Sequence, residues 1–253
     1  GDLLFEKDDL FGSVDIDGSG WYVHETLLKD IRTLEAKYGD LGYAYTNVIP
    51  RTQIREKDRE VDITFEIDKG NKVYFGRINV VGNSKTRDKV VRRELRVREG
   101  ELYHETRKRE SIDNIKRLGY FDEVNFNAST PPENADIMNI DIAVKERSTG
   151  ILTVGAGYST LSRFIFNTTV KQENLLGRGQ KLGVDINLSG DAKRIVLNFT
   201  EPYLYDSNWS LGFDAGYNKA NVGPYDQEQY NGASHLGHPL APYTRGIISY
   251  LIE

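Results

Sequence analysis

The feature that most constrains this chain is a change of hydrophobic period at Gly150. Beyond it, Leu182, Val184, Ile186 and Leu188 interleave with Lys181, Gly183, Asp185 and Asn187. Trp209, Leu211, Phe213, Ala215 and Tyr217 interleave in the same way with Ser210, Gly212, Asp214 and Gly216. A period of two belongs to an extended strand with one apolar and one polar face. Charge falls at the same point, from 54 of the first 149 residues to 17 of the last 104, while glycine rises from 11 to 13. A Gly/Ser linker carries no such alternation. The chain has no apolar run of 18 residues and hence no candidate transmembrane helix, but a membrane β-strand needs only about 9–11 alternating residues.

The alternation predicts seven strands, at about 150–158, 162–173, 180–189, 192–201, 208–219, 228–237 and 242–253. Gly177-Arg178-Gly179 and Ser189-Gly190-Asp191 suit hairpin turns. Tyr203, Tyr205, Trp209 and Tyr217 fall near strand ends, where amphipathic rings favour a membrane interface. Two architectures meet this pattern: part of an outer-membrane β-barrel, and a soluble β-sandwich. Seven strands fall short of the smallest eight-stranded barrel, and an open edge in lipid leaves backbone groups unpaired. The barrel reading therefore expects further alternating segments beyond Glu253.

The charged part holds a repeat. Residues 72–81 read as a strand ending at Gly82-Asn83, followed by a helix from Thr86 to Leu95, with Thr86 as its cap. A second helix runs from about Glu105 to Leu118 and closes at Gly119. Strands Phe121–Asn127 and Ala135–Lys145 follow, the latter placing Met138, Ile140, Ile142 and Val144 on one face. The order is β-α-α-β-β. His24-Glu25-Thr26 echoes His104-Glu105-Thr106, Leu41-Gly42-Tyr43 echoes Leu118-Gly119-Tyr120, and Val61-Asp62-Ile63 echoes Met138-Asn139-Ile140. Gly1 then falls opposite Gly82, so the first copy is expected to lack its opening strand here.

Several function classes are disfavoured. A net charge of −5 argues against a general nucleic-acid binder. Cysteine is absent, which excludes disulfides and thiolate sites. Asp15-Ile16-Asp17-Gly18-Ser19-Gly20 opens like a calcium loop, but Thr26 stands where the closing glutamate belongs. His24, His104, His235 and His238 show no metal-ligand spacing, and His235 and His238 fall on opposite faces of a strand. No G-x-S-x-G elbow occurs. Neither a catalytic residue nor a metal or cofactor is expected.

Strand Lys72–Val81, Gly82-Asn83, the basic helix around Arg92-Arg93-Glu94 and Arg117-Leu118-Gly119-Tyr120-Phe121 resemble a polypeptide-transport-associated (POTRA) domain. Val144-Lys145-Glu146-Arg147-Ser148-Thr149-Gly150, leading into Gly155-Ala156-Gly157-Tyr158, is similar to the junction between the last POTRA domain and the barrel in the outer-membrane protein assembly factors of the Omp85 superfamily. Gln172 to Gln180 and Thr200-Glu201-Pro202-Tyr203 look like early barrel elements of that family. The resemblance implies α+β POTRA repeats followed by antiparallel transmembrane barrel strands. Residues 1–70 would be a POTRA domain without its first strand, 71–148 a complete one, and 149–253 about the first seven strands of a sixteen-stranded barrel. It implies a location in a bacterial outer membrane with the POTRA domains in the periplasm. Its partners would be unfolded β-barrel proteins, periplasmic lipoproteins and membrane lipid.

Three sets of residues follow as site candidates. Phe121, Val124 and Phe126 mark a sheet edge open to β-augmentation by a client, with Ala44–Arg51 a second such edge; plain solvation of these edges is the competing reading. Gly150, Leu152, Val154, Gly155, Gly157 and Tyr158 lie on the first barrel strand, which the family uses as a lateral gate. There the glycines either ease unzipping or only permit curvature and close packing. Arg92 and Glu99 match positions that meet a lipoprotein partner. The alternatives are an Omp85-type secretion translocator and a soluble periplasmic module with a β-sandwich.

Overall fold

The computed structural model describes residues 3–16, 20–223, 225–241 and 244–253. It divides into two compact units. One comprises Gly1–Val81, Glu94–Leu118 and Glu123–Val144; the other comprises Gly82–Arg93, Gly119–Asp122 and Lys145–Glu253. The residues Asp17, Gly18 and Ser19 of the calcium-like loop, and the first two of the expected strand 242–253, lie outside the described residues.

In the first unit, α1 (Lys7–Phe11) and α2 (His24–Gly39) precede β1 (Asn47–Arg55) and β2 (Glu60–Asp68). α2 buries Leu34 and Tyr38, one helical turn apart, and these meet Leu10 and Val48 with Phe65 and Ile67 of β2 packed beside them. β1 and β2 pair antiparallel from Asn47↔Asp68 to Arg55↔Glu60. Asp30 is buried, and its carboxylate accepts from the Asp15 and Ile16 N–H groups at 2.8 and 2.9 Å. The Asp15 carboxylate in turn pairs with Lys29 at 2.5 Å. Asp15 and Ile16, which open the calcium-like run, are thus tied to α2 by Asp30.

The second copy begins with β3 (Tyr74–Val81), and its α4 (Glu105–Arg117), β4 (Phe121–Ser129) and β5 (Ile137–Glu146) follow. Its sheet has the order β3-β5-β4, with β3 parallel to the central β5. Met138, Ile140, Ile142 and Val144 of β5 are all buried, as their alternation requires. The β3–β5 register shifts between Phe75 and Ile78. At Gly76 an added Cβ would lie 2.2 Å from Asn139 Oδ1, the atom that accepts the Arg77 N–H. The two copies lock together through Asp40, whose carboxylate accepts from the Thr106 N–H and hydroxyl, both at 2.7 Å.

α3 (Asp88–Arg92) is one and a half turns long, shorter than the expected helix from Thr86 to Leu95. At its start the physical reason is local. Thr86 does not cap it; Arg87 does so in position only, without a side-chain bond. The Thr86 amide and hydroxyl are engaged elsewhere, by Glu146 and Asn174.

The second unit is dominated by one antiparallel sheet in strict sequence order: β6 (Gly150–Ser159), β7 (Arg163–Leu175), β8 (Gln180–Leu188), β9 (Ala192–Glu201), β10 (Ser210–Val222), β11 (Tyr225–Ala241) and β12 (Thr244–Ile252). Register pairing aligns Leu152, Val170, Val184, Leu197, Ala215, Gly232 and Ile252 in a single row across all seven strands. This face is apolar and open: Leu152 is 69% exposed, Phe164 79% and Ile248 76%. The other face is polar and bonded across strands. Thr169 donates to Asp185 at 2.7 Å, Asn198 donates to Asp214 at 2.9 Å, and His235 bridges Asp214 and Ser249, both at 2.7 Å. A β-sandwich would bury the apolar face between two layers. All seven strands instead lie in one layer, so the sandwich alternative is set aside. His238 falls on the apolar face and meets the Trp209 ring at 4.5 Å, opposite to His235 as their spacing required.

Removing buried volume from β5 should destabilise the repeats. Ile142→Ala is expected to cost about 2–5 kcal/mol, whereas Ile54→Ala, at a side chain 73% exposed, should stay within about 0.5 kcal/mol. Urea midpoints for both variants check this.

Candidate functional site

Within the second unit, the loop before α3 docks onto the turn between β7 and β8, and Glu146 is its hub. The Glu146 carboxylate accepts from the Ser84 hydroxyl at 2.9 Å, the Lys85 N–H at 2.9 Å and the Thr86 N–H at 2.6 Å. Burial pulls this carboxyl upward, but the bonds from Thr86, Lys85 and Ser84 outweigh it and hold it below the ordinary carboxylate range. Buried Asn174 completes the joint, donating to the Thr86 hydroxyl at 2.9 Å and accepting the Gly179 N–H at 2.7 Å. Arg87 N–H donates to the Gly177 carbonyl at 2.9 Å. A Cβ on Gly177 would fall 1.9 Å from the Lys85 carbonyl oxygen, and its φ of +70° also favours glycine. Gly177-Arg178-Gly179 is therefore more than a hairpin turn: the backbone passes too close for any side chain. A cleft of about 400 Å³ opens beside the joint, lined by Thr86, Glu146, Thr149, Gly150, Gln172 and Asn174. It stands at the start of β6.

β6 ends the seven-stranded sheet and pairs only with β7, without register shift, from Gly150↔Gln172 to Ser159↔Arg163. Nearly every residue is exposed. Gly150, Leu152, Val154 and Tyr158 share the apolar face, and Gly155 and Gly157 the polar one. Tyr158 packs edge-on against Phe164, with centroids 5.4 Å apart. A Cβ at Gly157 would meet nothing within 4 Å, and one at Gly155 would make only ordinary contacts with Asn167. Close packing within the described sheet does not require glycine at either position.

The two outer strands of the three-stranded sheet differ. Residues 99–103 run along β3: Phe75 N–H donates to the Glu101 carbonyl at 2.9 Å, Gly100 N–H to Phe75 at 2.7 Å and Tyr103 N–H to Val73 at 2.8 Å. The Glu99 carboxylate takes the Ile78 N–H at 2.8 Å. That edge is covered by the chain itself. β4 stands at the other end with only β5 beside it; Phe121 and Val124 are buried, and Phe126 is half-buried. Arg92 is exposed at the end of α3, its Nε on the Asp88 carboxylate. Arg92 and Glu99 fall in different compact units. Sequence reasoning missed both the edge-capping role of Glu99 and the Glu146 hub. Lys145-Glu146-Arg147 was noted only as part of a junction motif.

Comparison with known proteins fits this geometry. Residues 1–70 and 73–147 match the POTRA family, described as a surface antigen variable number repeat. Residues 174–253 match the Omp85 superfamily domain. The outer membrane protein assembly factor BamA of Nitratidesulfovibrio vulgaris is 29% identical over 96% of this chain and 31% of that protein. The factor of the same name from Neisseria meningitidis serogroup B is 33% identical over 79% of this chain and 25% of that protein. The chain thus spans less than a third of either relative. The crystal structure of BamA from Haemophilus ducreyi lacking POTRA domains 1–3 superposes with a TM-score of 0.80 at 25% identity, covering 98% of this chain and 48% of that one.

Because the Glu146 carboxyl is held low in the folded state, its contribution to stability is full above the ordinary glutamate value of about 4.3 and is lost as pH falls through the lowered folded value. Glu146→Gln should flatten the acid limb of a stability–pH profile while changing the neutral plateau less than Gly177→Val does. Thermal melts between pH 3 and 7 measure both.

Proposed function

Since the chain belongs to the Omp85 superfamily, with POTRA repeats followed by an Omp85 domain, we propose that it works in an outer-membrane protein assembly factor. Its repeats receive unfolded β-barrel precursors in the periplasm, and its strand domain passes them into the outer membrane. The observation that carries this reading is the seven-stranded single-layer sheet, exposed and apolar on one face and polar and bonded across strands on the other; β6, its first strand, is the proposed edge for a client. An extended client strand can template on such an edge through backbone bonds, whatever its side chains. Glycines at 155 and 157 that packing does not demand suit a strand that must unzip. The apolar row across all seven strands suits hydrocarbon, and the bonded polar face suits a lumen.

The repeats contribute the β4 edge at Phe121, Val124 and Phe126, since residues 99–103 already cover β3. Chemistry plays no part in this reading; hydrogen-bond exchange does. Arg92 and Glu99 are the proposed contacts for periplasmic lipoprotein partners. Because Glu99 also caps the Ile78 N–H, two variants separate its roles. Glu99→Gln keeps an acceptor for that amide, whereas Glu99→Lys removes it and reverses the charge. Loss of a co-purifying lipoprotein with both variants is the outcome expected of a charge contact, and unchanged co-purification with Glu99→Gln overturns it.

This stretch has no cysteine, so a cysteine placed in it is read against the unsubstituted protein. In the protein as the cell makes it, Leu152→Cys on β6 should form a disulfide with a cysteine in the terminal strand of a stalled client, whereas Ile195→Cys in mid-sheet should not. A secretion translocator predicts the reverse pattern: cross-links from polar-face positions such as Thr169→Cys and none from Leu152→Cys.

A further inference from the structure

A second cleft of about 250 Å³ lies at the same end of the sheet as the Glu146 joint, between α3 and the turns after β7 and β9. Four cationic side chains line it: Arg87 and Lys89 beside and on α3, Arg93 just after it, and Arg178 from the glycine turn. Glu201 and Asp206 supply the opposing charge, leaving an excess of two positive charges. Glu201 is occupied, accepting from Gln180 Nε2 at 2.7 Å and from the Tyr203 N–H at 3.1 Å. Asp206 holds Lys89 at 2.8 Å, and this ion pair keeps the Asp206 carboxyl below its ordinary range. The Arg93 guanidinium lies 4.0 Å above the Tyr203 ring.

The aromatic side of the cleft is equally particular. Tyr205 is 94% exposed, and its φ of 52° places a bulky side chain in the left-handed region; Asp206 follows at 58°. Such backbone is unfavourable for a residue with a side chain and persists where the surroundings fix it. Here it turns a tyrosine ring outward next to a cluster of cations. That combination of basic groups beside interfacial aromatic rings is what a headgroup boundary selects.

The geometry points to a binding site for an anionic phosphodiester headgroup at the turn end of the sheet, with Arg87, Arg178 and Lys89 as its ligands and Tyr205 seated beside the glycerol region. The inference rests on the membrane reading above and adds to it a lipid class and a place. Asp206 is the internal competitor: it occupies Lys89 until a phosphate displaces it.

Trp209, on the apolar face near this cleft and packed on His238, provides the readout. The protein as the cell makes it, with every tryptophan but Trp209 replaced by phenylalanine, Trp21 included, is reconstituted into phosphatidylcholine vesicles containing either brominated phosphatidylglycerol or brominated phosphatidylcholine. Phosphatidylglycerol should quench with a higher apparent affinity, by about fivefold for each effective charge. Arg87→Gln and Arg178→Gln should each lower that preference by a similar factor, Asp206→Asn should raise it, and Lys193→Gln at the opposite end of the sheet should leave it unchanged. Both arginines are exposed, and unchanged quenching by brominated phosphatidylcholine certifies that the variants remain inserted. Loss of the preference on adding millimolar inorganic phosphate would identify a free phosphate as the ligand; persistence identifies the lipid. Equal quenching by the two lipids, or a preference that Lys193→Gln lowers as much as Arg178→Gln does, overturns the site. No quenching by either lipid overturns the membrane reading itself.

Discussion

A seven-stranded sheet with one apolar face can exist only where that face is kept from water, and the rest of this molecule follows from how that demand is met. The row from Leu152 to Ile252 crosses every strand without a polar side chain. Contiguous exposed apolar patches on soluble monomers rarely exceed a few hundred Å². The same backbone alternation that builds this row puts Thr169, Asp185, Asn198, Asp214, His235 and Ser249 on the opposite face, where they satisfy one another across strands. One period of two therefore gives both an apolar and a polar face, which is the division of labour the proposed function needs.

The second physical requirement is a stiff connection at one end of that sheet. The Glu146 carboxylate gathers three donors from residues 84–86, and Asn174 ties the same segment to the Gly177–Gly179 turn. Charge-assisted bonds of this kind are shorter and stronger than neutral ones. Glycine at 177 lets the two backbones approach within a distance no Cβ allows. The loop at 82–93 is thereby part of the strand unit, although in sequence it lies inside the second repeat. Ordering that loop on the sheet also explains why α3 starts late: Thr86, its expected cap, is already bonded elsewhere.

Edges decide where other chains can add. A sheet edge presents a row of backbone donors and acceptors to any extended segment. On β3 that row is occupied by residues 99–103 and by the Glu99 carboxylate, so the molecule has covered one edge with its own chain. β4 stands at the end of its sheet beside β5, and β6 and β12 end the described seven-stranded sheet. The proposed client path uses β4 and β6 and no reactive side chain.

The strand period, the glycine and charge shift at Gly150 and the doubled β-α-α-β-β order were readable from residues alone, because alternation and helical spacing are local properties that the backbone repeats faithfully. Six of the seven later strands fall within a few residues of their expected bounds; β11 runs to 17 residues, Tyr225–Ala241, because pairing with β10 extends its start and a register shift between Pro239 and Ala241 carries it past the proline. The choice between sandwich and single sheet could not be made locally, since both alternate; it depends on what faces the apolar row. Likewise no spacing rule joins Glu146 to residues 84–86, or Glu99 to Ile78, because those partners meet only after the chain has folded back over dozens of residues. The sequence by itself determined which side chains share a face; only the tertiary structure decided which edges and carboxylates were already taken, because long-range pairing is set by the whole fold rather than by neighbours in the chain.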